Sequence, residues 1–164
     1  MPFIRMVQSF RELQMNIYEK LIALGIQLPK VAPPAAVYVP WVAAGNLLFV
    51  SGHIAKRDGS PWVGQFGTSM KVKDGAAAAR SVAIDLLGTV HEALGDLNRV
   101  KRVVKLTALV NSSDTFTDHH VVANGASALF AEVFDSAGSH ARSAFGVAQI
   151  PFGACIEIEL IVEF

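Results

Sequence analysis

The chain has 164 residues, of which 52% are hydrophobic and 17% are charged. The length is typical of one domain, and the apolar content predicts that part of the surface is buried between subunits. Lysine plus arginine equals aspartate plus glutamate at 14 each, which disfavours nucleic acid as a partner.

The only cysteine, Cys155, cannot form an internal disulfide, and this favours a reducing compartment. No apolar run reaches the length of about 20 residues that a membrane span needs. The first residues also lack the basic head and apolar stretch of an export signal. We therefore expect a cytoplasmic protein that does not associate with membranes.

The N-terminal residues are interpreted as an extension, 1–30, that precedes a single domain, 31–164. Within the extension, apolar residues at helical spacing predict a short helix over 17–24. Residues 1–14 show a weaker pattern, which indicates a flexible segment or a start assigned too early. Four prolines between positions 29 and 40 predict an extended linker that leads into the first strand.

Strands and helices alternate through the middle of the sequence. An apolar run over 46–52, bounded by glycines, predicts a buried strand, and the turn residues after it predict a hairpin or open loop. Asp74 is a candidate N-cap for a long amphipathic helix that Gly95 ends. A core strand over 103–110 and a second helix over 121–134 follow.

The last third predicts two strands, 143–150 and 154–164, separated by a proline-containing turn. In the final strand, strict alternation places Glu157 and Glu159 on one face. The order strand, helix, strand, helix, strand, strand predicts an α+β domain.

Several short segments resemble the YjgF/RidA family in order and spacing, from about Tyr38 to Phe164. The most specific part is an Arg-Ser pair near the start of the penultimate strand, followed by a proline turn and an Ile-Glu-Ile-Glu strand. The segments are Gly45-Asn-Leu-Leu-Phe-Val-Ser-Gly52, Gly95-Asp-Leu97, Val103-Val-Lys105, Ala141-Arg-Ser143, Ile150-Pro151 and Ile156-Glu-Ile-Glu159.

The resemblance implies a chorismate-mutase-like fold, in which two helices pack on one face of a mixed sheet. It also implies a homotrimer whose sheets form a central barrel, with ligand pockets at the subunit interfaces. Members with the matching arginine hydrolyse reactive imines or enamines to 2-oxo acids and ammonia, and no cofactor takes part.

Arg142 is the arginine of the Arg-Ser pair and is the candidate for gripping the substrate. Its planar guanidinium can bind a carboxylate through two charge-assisted hydrogen bonds. The alternative is an arginine held in a structural ion pair. The resemblance favours the functional interpretation.

Glu157 aligns with the family's pocket glutamate and is the candidate for accepting a proton from the attacking water. The alternative is a glutamate on the solvent face of an edge strand. Glu159 has the same orientation and therefore serves as an internal control.

Three further residues complete the predicted site. Tyr38 and Ser51 are candidates for contacting substrate, or Ser51 for bracing the arginine, although a core aromatic and a strand-end polar residue fit equally well. Ala144 stands where a cysteine often follows the Arg-Ser pair, and its backbone could still contact substrate. His53 replaces the usual glutamine, which indicates a different substrate side chain.

Other chemistries have little support in the sequence. The five histidines include no helix-spaced metal pair, and one cysteine provides no thiolate cluster. No Gly-x-Ser-x-Gly motif supports a serine hydrolase, and His119 with His120 is interpreted as a solvated helix start. Two alternatives remain: a non-catalytic protein that binds or senses small carboxylates and, less favoured because of the balanced charge, an endoribonuclease or translation inhibitor.

Overall fold

A five-stranded mixed sheet organises the protein, for which a computed structural model describes residues 15–31 and 37–164. The strands of the sheet lie in the order β1-β2-β7-β5-β6, and a small β3–β4 hairpin lies outside it. In chain order the elements are α1 (Ile17–Ala23), β1 (Trp41–Ala44), β2 (Leu47–Ile54), β3 (Lys56–Arg57), β4 (Ser60–Pro61), α2 (Val72–Leu94), β5 (Arg102–Asn111), α3 (His119–Phe134), β6 (Ala141–Val147) and β7 (Ile156–Glu163).

The helices cover one face of the sheet, as predicted. Strands β5 and β6 are parallel, so the connection between them crosses over through α3, whereas the other neighbouring strands are antiparallel. Alternate side chains of β5 and β7 are fully buried beneath α2 and α3, among them Leu106, Ala108, Ile158 and Leu160. The fold is therefore the α+β, chorismate-mutase-like arrangement, and α1 packs against α3.

Helices α2 and α3 approach so closely that their backbones touch. A β-carbon added at Gly125 of α3 would overlap the carbonyl of Ala76 on α2. Gly75 is similarly crowded by the side chains of Phe66 and Val122. These glycines fix the position of α3 above β6, and this position determines which α3 side chains reach that strand.

One strand was missed, and the main differences at element starts concern α2, α3 and β6. Helix α2 begins one turn earlier than expected, with Lys71 at the N-cap, so Asp74 lies inside the first turn and stabilises the helix dipole instead of capping it. Helix α3 begins at His119. Strand β1 was missed because its few residues follow the proline-rich segment directly. Strand β6 starts at Ala141, which places the Arg-Ser pair within the strand.

Other predictions of local structure are confirmed. The short N-terminal helix, the hairpin after β2 and the strand over 103–110 are present, and Gly95 ends α2 with a φ of 73°. The prediction for residues 1–14 lies outside the described residues. In the part of the chain that is described, no helix is long and apolar enough to cross a membrane.

Candidate functional site

The guanidinium of Arg142 is held in a defined orientation by α3. Its Nη1 donates to Oδ1 of Asn124 at 2.9 Å and to Oγ of Ser127 at 3.0 Å, while Nη2 donates to the carbonyl of His120 at 3.2 Å. All three acceptors are neutral, and none of the ion pairs in the described part of the chain includes Arg142. The arginine is thus positioned while its charge remains available to an anion.

Sequence reasoning missed the residues that position this arginine. His120, Asn124 and Ser127 have the spacing i, i+4 and i+7, so they form one stripe of α3 facing β6. That spacing is visible in the sequence, but nothing in it shows that the stripe faces Arg142. The contact depends on the tight packing of α3 described above.

A histidine supports the serine of this stripe. Nδ1 of His140 lies 2.6 Å from the carbonyl of Gly138, which can only accept, so Nδ1 carries the proton. In the neutral imidazole, Nε2, which lies 2.9 Å from Ser127 Oγ, therefore accepts a hydrogen bond from the serine hydroxyl. The remaining lone pairs of Ser127 are free to receive Arg142.

Glu157 lies on β7 with its side chain on the face of the sheet that the helices leave open. Its carboxyl rests over the backbone of Gly52, where an added β-carbon would overlap Oε1. Burial, and secondarily the charge of Glu159, raises the pKa of Glu157 above its ordinary value. No described residue donates a hydrogen bond that would offset this desolvation, so the carboxyl is a better proton acceptor than an ordinary surface glutamate.

Tyr38 and Ser51 line a common cavity of about 230 Å³ at the edge of the sheet, together with Gly52, His53 and residues of α2. Tyr38 is half exposed. The hydroxyl of Ser51 donates to the carbonyl of Val39 at 2.7 Å, so it braces the segment that carries Tyr38. It does not brace Arg142 of the same chain, which lies three strands away.

His53 is fixed in the wall of this cavity. Nδ1 is 2.8 Å from the carbonyl of Ser51, and Nε2 is 2.7 Å from the hydroxyl of Thr89. Burial lowers the pKa of His53, so the ring is neutral near pH 7. With both nitrogens engaged, His53 shapes the cavity and has no free nitrogen with which to transfer a proton.

Arg142 and Glu157 do not meet within one chain. Glu157 is in register with Leu109, which is in register with Phe145, three residues beyond Arg142 on β6. An offset of three residues places the two side chains on opposite faces, and strand spacing separates their Cα atoms by roughly 14 Å. Ala144 shares the helix-facing side of β6 with Arg142.

The described residues contain no cluster of three or more histidine, cysteine, aspartate or glutamate side chains that could hold a metal ion. Cys155 is fully buried, and burial raises its pKa to about 11, so the thiol stays protonated.

Comparison with known proteins agrees with this fold. The sequence model of the family described as "YjgF/chorismate mutase-like, putative endoribonuclease" matches residues 18–164. The chain belongs to the YjgF family. A relative, Protein TCP17 of Trypanosoma cruzi, is 52% identical over 150 residues, which cover 90% of this chain and 94% of that protein.

Two solved structures extend the comparison within the YjgF family. A protein of unknown function from Agrobacterium tumefaciens is 42% identical, with a TM-score of 0.83 over 90% of this chain and 92% of its own. A "putative endoribonuclease" from Shewanella oneidensis is 28% identical, with a TM-score of 0.87 over 92% of this chain and 100% of its own. Each of these two similarities covers 90% or more of this chain.

Proposed function

We propose that this protein hydrolyses 2-imino acids, or the enamines in equilibrium with them, to 2-oxo acids and ammonia. The observation that carries the proposal is Arg142, a guanidinium held by three neutral acceptors and unpaired with any described carboxylate. Such a group suits the carboxylate common to all 2-imino acids. Tyr38, Ser51 and the backbone at Ala144 are proposed to contact the substrate.

In the proposed reaction, the forked guanidinium of Arg142 binds the substrate carboxylate. Water attacks the imine carbon as the nitrogen takes up a proton, and Glu157 accepts a proton from that water. Glu157 then returns its proton to the amino group of the resulting carbinolamine, the C–N bond breaks and ammonia leaves, and the hydroxyl releases its proton to solvent as the C=O bond forms. The raised pKa of Glu157 supports its role, because it brings the base closer to neutral pH.

This mechanism requires Arg142 and Glu157 to come from different copies of the chain, because they point away from each other within one copy. The open face of the sheet supports such an assembly. It exposes Val42, Phe49 and Phe145, whose side chains are 54%, 42% and 47% accessible. An apolar surface of this kind is typical of an interface. We therefore propose the homotrimer that the family resemblance implies.

Light scattering at micromolar concentration should report three chains per particle. Phe49→Glu and Phe145→Glu would place charges in the proposed interface and should shift the mass toward that of one chain while the circular-dichroism spectrum is retained. Val63→Glu is the control, because Val63 is 65% accessible, more than either phenylalanine, but lies outside the five-stranded sheet. A wild-type protein that remains monomeric would remove the shared site and with it the mechanism.

The activity itself is tested by generating imines in place with an amino-acid oxidase and trapping the unhydrolysed fraction with semicarbazide. Less semicarbazone in the presence of the protein supports a deaminase. Tight binding of 2-oxo acids without any decrease would instead support a carboxylate-binding protein. The endoribonuclease named for relatives is not favoured here, because 14 basic and 14 acidic residues leave no net positive charge to attract RNA.

Gly52→Ala should lower turnover without unfolding the protein. The new β-carbon would occupy the place of the Glu157 carboxyl, whose flexible end can rotate away. We expect kcat to fall by about one order of magnitude or more, because the base is displaced from its position. The matched control is Gly64→Ala, which displaces only the flexible end of Met70, and should leave kcat unchanged. Wild-type turnover by Gly52→Ala would contradict the position assigned to Glu157.

A further inference from the structure

A second pair of side chains suited to catalysis lies where β5 ends and α3 begins. Oγ of Ser112 is 3.0 Å from Nε2 of His119, the first residue of α3. The pair packs against Gly146 of β6, where an added β-carbon would lie 2.5 Å from Ser112 Oγ and 2.6 Å from His119 Nε2. The solvated helix start expected for His119 is therefore wrong, because its ring is partly buried and paired.

The pair opens into a cavity of about 530 Å³, which is separate from the cavity beside Tyr38. Gln65, Asp114, Phe116 and Val147 also line it, and none of its lining residues is a lysine or an arginine. The cavity thus offers no counter-charge to an anion, whereas Arg142 does. It is suited to a small ligand without negative charge.

The geometry matches that of a nucleophile and its base. A heavy-atom distance of 3.0 Å lies within the range for a serine that gives its proton to a histidine, provided that Nε2 is the unprotonated nitrogen. The ring of Phe116 meets the imidazole edge-on, with centroids 5.1 Å apart, and limits its rotation. No side chain caps the N-terminus of α3, whose positive dipole end favours a developing negative charge beside His119.

A second serine–histidine pair, Ser127 with His140, differs from Ser112 with His119 in its hydrogen bonds and its surroundings. Ser127 also bonds to His140, but it receives a hydrogen bond from Arg142 as well, and neither residue lines the cavity beside Tyr38 or the cavity beside Ser112. Donation from a cation lowers the electron density on Ser127 Oγ. Of the two serines, only Ser112 combines a free lone pair, a base and space for a substrate.

We propose that Ser112 and His119 form an acyl-transfer site for small, uncharged esters, independent of the imine chemistry proposed above. Ser112 Oγ attacks the ester carbonyl carbon while its proton passes to His119 Nε2. The tetrahedral adduct collapses, the C–O bond to the leaving alcohol breaks, and that alcohol takes the proton. Water then attacks the acyl-serine with His119 as base, which releases the carboxylic acid and restores the Ser112 hydroxyl.

The test uses diisopropyl fluorophosphate, from which an activated serine displaces fluoride to form a stable phosphoryl ester. The full-length protein is incubated with the reagent, the adduct rate is followed by intact mass, and the modified residue is located by fragment ions. We expect one adduct, at Ser112. His119→Gln keeps a hydrogen-bonding side chain but removes the base, so labelling should slow by about 100-fold or more. Gly146→Ala should also suppress it, because the new β-carbon intrudes on the pair.

A serine outside this cavity supplies the control. Ser113 lines the same cavity, so the control is Ser81, whose hydroxyl donates to the carbonyl of Ala78 within α2; Ser81→Ala should be labelled at the wild-type rate. An adduct at Ser113 or Ser127, labelling of His119→Gln at the wild-type rate, or an unmodified wild-type protein would each overturn the proposal. Labelling of the wild-type protein is decisive by itself, so the test does not depend on whether a variant folds.

Discussion

Arg142→Ala is expected to abolish tight binding of 2-oxo acids while leaving the protein folded. The substitution removes a forked, charge-assisted contact, whose loss typically costs about 2–4 kcal/mol. This corresponds to a dissociation constant roughly 30-fold to 900-fold higher. Titration calorimetry with 2-oxobutanoate measures the change directly and does not depend on turnover.

Two further variants separate the role of geometry from that of charge. Arg142→Lys keeps the positive charge but cannot form the fork, so its affinity should lie between those of wild type and alanine. The matched control is Arg80→Ala, because the guanidinium of Arg80 is already paired with Glu132 at 2.8 Å. If Arg142→Ala binds 2-oxo acids as wild type does, the arginine is structural and the site lies elsewhere.

The sequence predicted the fold well because its strongest patterns are local. The apolar face of α2 and the αL glycine that ends it are visible in the sequence, and so is the alternation of β7. Cap positions were harder to predict. By residue type Asp74 is a better N-cap than Lys71, yet packing extends α2 beyond Asp74 toward the N-terminus. Strand β1 has too few residues for a periodic signal and forms because β2 provides a partner.

Only part of the candidate site could be predicted from the sequence. Arg142 and Glu157 were identified from a motif, but that motif carries no information about which face of the sheet each occupies. The register places them on opposite faces of the sheet, so the proposed mechanism needs each of them from a different copy of the chain. The pairing of Ser112 with His119 depends on where α3 begins, two residues before its apolar pattern does.

The raised pKa of Glu157 should affect how both activity and stability depend on pH. Because its pKa is raised in the folded state, the native protein binds more protons than the unfolded chain near that pKa, and stability decreases as the pH rises through this range. Glu157→Gln removes the penalty, so the variant should unfold at a higher temperature than wild type at pH 7. The difference should shrink as the pH falls through the raised pKa. Wild-type activity should decline over that same range as the base becomes protonated.

Glu157→Gln is expected to separate catalysis from binding. The amide keeps the shape of the side chain but cannot accept a proton from water, so imine hydrolysis should fall by about 100-fold or more. Affinity for 2-oxobutanoate should remain close to that of wild type, because the carboxylate is held by Arg142. Glu159→Gln is the matched control, because Glu159 lies two residues along the same face and is exposed. The turnover of this variant should match that of wild type. The pKa of Glu157 should fall slightly, because the charge of Glu159 contributes to raising it. Wild-type turnover by Glu157→Gln would mean that another group activates the water. That group would not be His53, because both of its nitrogens are hydrogen-bonded, one to Ser51 and the other to Thr89.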